Sequence, residues 1–147
     1  MIPNPGAAQS ESYLLQRINS ATPEQLCVIF LEGAQRFLLQ AINAVKERNL
    51  QDKARFVNRV SAIIEELTVQ LNHDEESELV INLSRIYEWW MNQLFEGSRE
   101  NNAEKMELIY GQMGSMKTTW EELIHKSQTA PPPTSETVGR LGAELIG

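Results

Sequence analysis

From Glu24 to Ala130 the chain contains no proline, although an average usage of about 5% would place about five there. All six prolines lie at the edges: Pro3, Pro5, Pro23, and the run Pro131-Pro132-Pro133. Proline inside a helix removes a backbone hydrogen bond and collides with the preceding turn. A long interval that avoids it, with apolar residues recurring three and four apart, therefore reads as packed helices.

Four helices fit into that interval. The first starts at Thr22-Pro23-Glu24-Gln25, where Thr22 can cap, Pro23 suits the first helical position and Gln25 can close a capping box. Leu26, Phe30, Ala34, Phe37, Leu38, Ala41 and Val45 give it a broad stripe suited to two neighbours, and it should end near Arg48-Asn49. The second carries Phe56, Val57, Val60, Ile63, Ile64, Leu67 and Leu71 on a narrower face. The acidic connection Asn72-His73-Asp74-Glu75-Glu76 puts negative charge where the third should begin, as the helix dipole favours. Leu79, Val80, Leu83, Ile86, Tyr87, Trp90, Met91 and Leu94 form its core stripe, with Gly97 expected as the stop. Asn101 and Asn102 are cap candidates for the fourth, whose inward set is Met106, Ile109, Tyr110, Met113, Met116, Trp120 and Ile124. Short connections force neighbours to run in opposite directions, so the expected fold is all-α, an antiparallel up-and-down four-helix bundle over residues 22–126. Residues 1–21 form an N-terminal segment or cap and 127–147 a proline-rich tail; the small, polar residues 1–12 and the tail are expected to be mobile or loosely docked.

The composition narrows the functions available. With 41% apolar residues among 147, the chain can bury one core. A formal charge of −7 with no basic stretch argues against nucleic acid. Apolar runs such as Leu26 to Leu31 are far short of a membrane span, and MIPNPGAAQSES has no hydrophobic leader core, so neither membrane insertion nor export is expected and the location is read as cytoplasmic. The single cysteine, Cys27, reads as a small buried hydrophobe.

Catalytic chemistry has little to work with. Of the two histidines, His73 falls in a connection and His125 at a helix end. Glu122-Leu123-Ile124-His125 has the Glu-x-x-His spacing of di-iron bundles, but such a site needs a second pair and two further glutamates. A phosphotransfer bundle needs an exposed histidine in mid-helix. No phosphate loop, nucleophile elbow or Cys-His pair occurs, so no enzyme activity and no cofactor are expected.

Apolar residues off the core stripes are the features left to explain. At about 100° per residue, the core set of the third helix spans roughly 140° and Trp89 lies outside it, beside Asn82 and Gln93. Ile81 and Phe95 also lie off this stripe, as do Val28 and Leu39 on the first helix. Single exposed apolar groups are ordinary. Several together, one a tryptophan, suit a groove for an amphipathic partner helix.

The order and spacing of several motifs resemble a known family. Ser20-Ala21-Thr22-Pro23-Glu24-Gln25-Leu26, followed by Phe30-Leu31-Glu32-Gly33 and Phe37, resembles the opening of the FliS family of flagellar secretion chaperones. Ile63-Ile64-Glu65-Glu66-Leu67 with Leu71-Asn72 is similar to the family's second helix, and Asn82-Leu83-Ser84-Arg85-Ile86-Tyr87-Glu88 to its Asn-Leu-Ser-x-Leu-Tyr-Asp signature. Gly111, Trp120 and Tyr13 also match. The chain departs from the family pattern at Leu31, at Glu76-Ser77 and at Trp89-Trp90.

The resemblance implies a chaperone that binds the disordered C-terminal segment of flagellin, blocks premature polymerisation and delivers it to the flagellar export gate. A relative with the same bundle and another client is the alternative. By matching positions, the flagellin groove is expected at Val57, Ile64, Leu67, Leu71, Leu79, Asn82, Leu83 and Tyr87, with Trp89 as an addition of this chain. Asn82 adds an amide able to bond a bound segment's backbone. Tyr13 and Ile18 correspond to the family's N-terminal cap and export-gate contact. Flagellin and the gate are thus the expected partners, and a homodimer is compatible with the sequence.

Overall fold

The computed structural model describes residues 5–71 and 77–129, with backbone alone for 5–8 and 129. The connection Asn72–Glu76, with His73, and the proline run of the tail lie outside the described residues. The described residues form five helices: α1 (Pro5–Ser20), α2 (Pro23–Lys46), α3 (Leu50–Val69), α4 (Glu78–Glu100) and α5 (Ala103–Thr129). The chain is all-helical there, as expected, but with one helix more than the four anticipated. The added helix is α1, whose small and polar sequence carries no apolar stripe long enough to announce it. α5 continues to Thr129, three residues past the expected boundary at 126.

Local signals place the helix starts. Thr22 accepts a hydrogen bond from the Gln25 amide at 3.2 Å and its own amide donates to Gln25 Oε1 at 3.0 Å, closing the capping box over Pro23. Asn49 and Ser77 cap α3 and α4 in the same way, accepting from the amides of Asp52 and Val80. Thr22→Ala should cost about 1 kcal/mol, read as a lower urea midpoint with an unchanged m-value.

Gly97 is not the stop of α4. The helix runs three residues further and ends where Asn101 adopts the left-handed conformation, φ 51°. Asparagine tolerates that region, and Asn102 then begins α5 by accepting from the amides of Glu104 and Lys105. Gly97 serves close approach instead: a Cβ there would lie 3.2 Å from both the Asn102 carbonyl oxygen and Met106 Cγ.

α2, α3, α4 and α5 pack in a closed cycle, each against the next and α5 back against α2. The core sits inside it and includes Leu31, Leu38, Val60, Ile64, Leu67, Trp90, Leu94, Met106, Ile109 and Met113. α2 touches both α3 and α5, which explains its wide stripe and why Val28, expected off the stripe, is buried. Leu39 is exposed, as its position off the stripe implies. α1 is tethered by an Arg17–Glu32 ion pair at 3.6 Å. Among the described residues, no helix is long and apolar enough to cross a membrane.

Candidate functional site

The surface between α4 and α5 opens into an apolar groove. One part, of about 570 Å³, is bounded by Ile86 and Trp90 from α4 and by Leu108, Gly111, Gln112 and Met116 from α5. A second part, of about 300 Å³, continues it past Ile86 and Gln112 to Trp89 and Arg85. Gly111 is exposed, and a Cβ there would meet nothing within 4 Å, so this stretch of the lining faces open space. The floor is rigid. Trp90 is fully buried, stands 5.6 Å from the Tyr87 ring centroid, and its indole N–H donates to Gln112 Oε1 at 2.8 Å.

The adjacent tryptophans thus divide between two roles. Trp90 packs inside while Trp89 is 41% exposed at the groove's edge. Ile81 and Phe95 are exposed too. At about 100° per residue they lie on the flank of α4 opposite to Ile86 and Trp89, so of the three only Trp89 joins the groove.

Of the residues expected to face flagellin, Val57, Ile64, Leu67, Leu83 and Tyr87 are interior, none more than 4% exposed. Leu71, Leu79 and Asn82 are half-buried where α3 ends and α4 begins. Trp89 alone of that set stands open to solvent. Tyr13 is 65% exposed on α1, with Leu14 and Leu15 also exposed, and Ile18 is half-buried. The sequence reading passed over Leu108, which is exposed and lies off the α5 stripe of Met106, Ile109 and Met113. The signal that identifies Trp89 was available for it. Ile86 and Met116, read as core, are half-buried and line the groove.

Nothing in the groove is arranged for acid–base or nucleophilic work. Its lining is apolar, with an amide, a hydroxyl and single charges, Arg85 and Glu107, at the margins. Elsewhere, Cys27 packs against the core, half-buried, and burial chiefly, with the Glu24 carboxylate adding to it, pushes its thiol up to about 11. Burial likewise drives the Tyr87 phenol well above its ordinary value. Well below about pH 11 little of Cys27 is thiolate, the reactive form. Iodoacetamide should therefore modify it at least tenfold more slowly in the folded protein than in denaturant, read by mass spectrometry. Because the folded thiol holds its proton more tightly than the free one, this group's contribution to stability is present below pH 9.0 and lost as pH rises toward about 11.

A family model described as flagellar protein FliS matches residues 6–127. The chain is similar to the flagellar secretion chaperone FliSB of Pseudomonas aeruginosa, 24% identical over 109 residues that cover 74% of this chain and 86% of that one. It is similar to the flagellar secretion chaperone FliS of Salmonella typhimurium, 23% identical over 75% of this chain and 82% of the relative. For the flagellar secretion chaperone FliS of Campylobacter jejuni the identity is 25%, over 80% of this chain and 91% of the relative.

Proposed function

Since the chain belongs to the FliS family of flagellar proteins, we propose that it is a flagellar secretion chaperone that holds the C-terminal segment of flagellin in the cytoplasm until export. The observation that carries the reading is the open α4–α5 groove, with Trp89 at its edge and Gly111 an open position in its lining. An amphipathic client helix laying its apolar face there loses its means of polymerising while staying unfolded enough to export. Ordering such a segment costs about 2–5 kcal/mol, which a long apolar groove offsets without preventing release.

Flagellin's first contacts are assigned to Trp89, Ile86, Leu108 and Met116. Leu71, Leu79 and Asn82 offer a second stretch at the junction of α3 and α4. The interior residues Val57, Ile64, Leu67, Leu83 and Tyr87 hold the helices that present both. Tyr13 and Ile18 on α1 are assigned to the export gate. The protein acts by binding, without catalysis.

The helix cycle is read as an antiparallel up-and-down four-helix bundle. Contacts between starts and ends support it. Lys46, at the end of α2, pairs with Glu107, near the start of α5, at 2.8 Å. Lys53, near the start of α3, donates to the Ser98 carbonyl and to Asn101 Oδ1 at the end of α4. Lys105 in the first turn of α5 pairs with Glu96 and Glu100 of α4, at 2.7 and 2.9 Å.

Mixing the protein with the C-terminal segment of flagellin from the same organism should give a co-eluting complex on a sizing column and a gain in helical circular dichroism beyond the sum of the parts. Separate elution with no gain would remove the flagellin assignment. Light scattering of the free protein reads monomer against homodimer.

A further inference from the structure

Among the described residues, every cation–aromatic contact falls where α2 meets α3. The Arg36 guanidinium carbon lies 5.3 Å from the Phe37 ring centroid, Arg59 lies 5.2 Å from the same ring, and Arg55 lies 4.6 Å from Phe56. The two rings stack on one another, centroids 6.3 Å apart and planes 22° from parallel. Three guanidiniums from two helices are thereby joined into one ladder, with all three arginines exposed and both rings half-buried.

This arrangement works against local electrostatics. Arg55 and Arg59 stand one helical turn apart, a spacing at which like charges repel. Arg55 has a carboxylate, Asp52, at 3.3 Å. Arg36 and Arg59 have none within ion-pair distance among the described residues. The chain as a whole, these arginines included, carries a net −7, so the ladder is a positive island on an acidic molecule. A guanidinium laid over a ring keeps its planar N–H fork free at the edge, and that fork matches a carboxylate through two parallel hydrogen bonds. Stacking also holds the long side chains in place beforehand, which lowers the ordering cost of binding.

We propose that Arg36, Phe37, Arg55, Phe56 and Arg59 form a docking surface for an acidic segment of a partner protein, one that alternates carboxylates with apolar side chains. Charge complementarity sets the carboxylates on the three forks, and the half-buried rings take the apolar groups between them. A nucleic acid fits poorly, because its continuous phosphate charge would meet the field of an acidic molecule on every side of three cations. The α2–α3 pair lies across the helix cycle from α4–α5, so this surface stays free while the groove beside Trp89 is filled. The assignment does not depend on what the groove binds.

The test uses the full chain and fluorescence anisotropy with a labelled peptide alternating glutamate and leucine, its glutamine-for-glutamate counterpart, and a labelled DNA duplex. The combined variant Arg36→Gln, Arg55→Gln, Arg59→Gln keeps two of the three methylenes of each stem and should bind the glutamate peptide at least tenfold more weakly than the parent. A control removing Lys46, Arg99 and Lys117 instead should bind within twofold of it, and the glutamine peptide should not saturate. A second variant, lysine at all three arginines, keeps the charge and removes the planar fork. Several-fold weaker binding is expected there, and it serves if the glutamine variant does not fold. Equal binding by the parent and either folded ladder variant, equal binding of both peptides, an equal loss in the control lacking Lys46, Arg99 and Lys117, or tighter binding of the duplex through the same arginines would each overturn the proposal.

Discussion

Trp90→Ala is expected to destabilise the protein by about 3–5 kcal/mol, while Trp89→Ala at the adjacent position should change stability by no more than about 0.5 kcal/mol. Trp90 is fully buried beneath the α4–α5 groove, and removing its indole leaves a cavity beside Tyr87. The loss goes beyond volume. Gln112 Oε1 gives up the indole N–H that holds it across the groove floor. Against a typical domain stability of about 5–15 kcal/mol, such a loss brings the chain close to unfolding at physiological temperature. Thermal and urea unfolding of the two single variants measures the contrast. The functional contrast should run the other way: Trp89→Ala keeps its helical signal and loses affinity for flagellin, tenfold or more if the indole anchors the client at the groove's edge. Equal stability losses at both positions would contradict the division of labour between the two side chains.

Gly111→Leu should abolish client binding in a protein that folds as well as the parent, or slightly better. Glycine within a helix costs about 1 kcal/mol relative to a good helix former, and a Cβ added at Gly111 meets no atom within 4 Å in the free protein. Leucine there projects into the space between Ile86, Leu108 and Met116 that the client helix is expected to fill. The substitution separates folding from binding because it adds bulk only where the free chain has none. Neighbouring glycines answer differently. At Gly114 a Cβ comes within 3.0 Å of Gln35 Nε2, which donates to the Tyr110 carbonyl, so alanine there disturbs the α2–α5 contact. At Gly97 it meets backbone. Isothermal titration of Gly111→Leu and Gly114→Ala with the flagellin segment, together with their melting curves, tests the ordering. Unchanged affinity in a folded Gly111→Leu would move the client to another face.

The helices themselves were legible because what specifies them is local. Thr22, Pro23 and Gln25 lie within one turn, and their hydrogen bonds can be written from the sequence. The stripes of α3 and α4 repeat every three to four residues, and their members Val60, Leu67, Leu83 and Leu94 are all buried. α1 was missed because little in its composition distinguishes a short polar helix from a loop. Gly97 misled because glycine serves both to end helices and to let them touch. Which use applies depends on a neighbour, here Asn102 and Met106 in the next helix.

The candidate site was legible only at its edge. Trp89 announced itself as an apolar group off the stripe, and Leu108 carried the same signal. Matching the chain to family positions drew in Val57, Ile64 and Tyr87, which the structure places inside. Whether an apolar side chain on a helix faces the core, a groove or water is set by where the next helix lies and how closely it approaches. Periodicity along one helix holds no measure of that distance. By itself, then, the amino-acid order determined the Thr22 cap, the core stripes of α2 to α5 and the family likeness, all of which depend on groups a few residues apart. The open lining at Gly111, the burial of Trp90 beside an exposed Trp89, and the joining of Arg36 to Arg55 and Arg59 were decided only in the assembled fold. Each depends on the gap or contact between two helices, which exists only once both are in place.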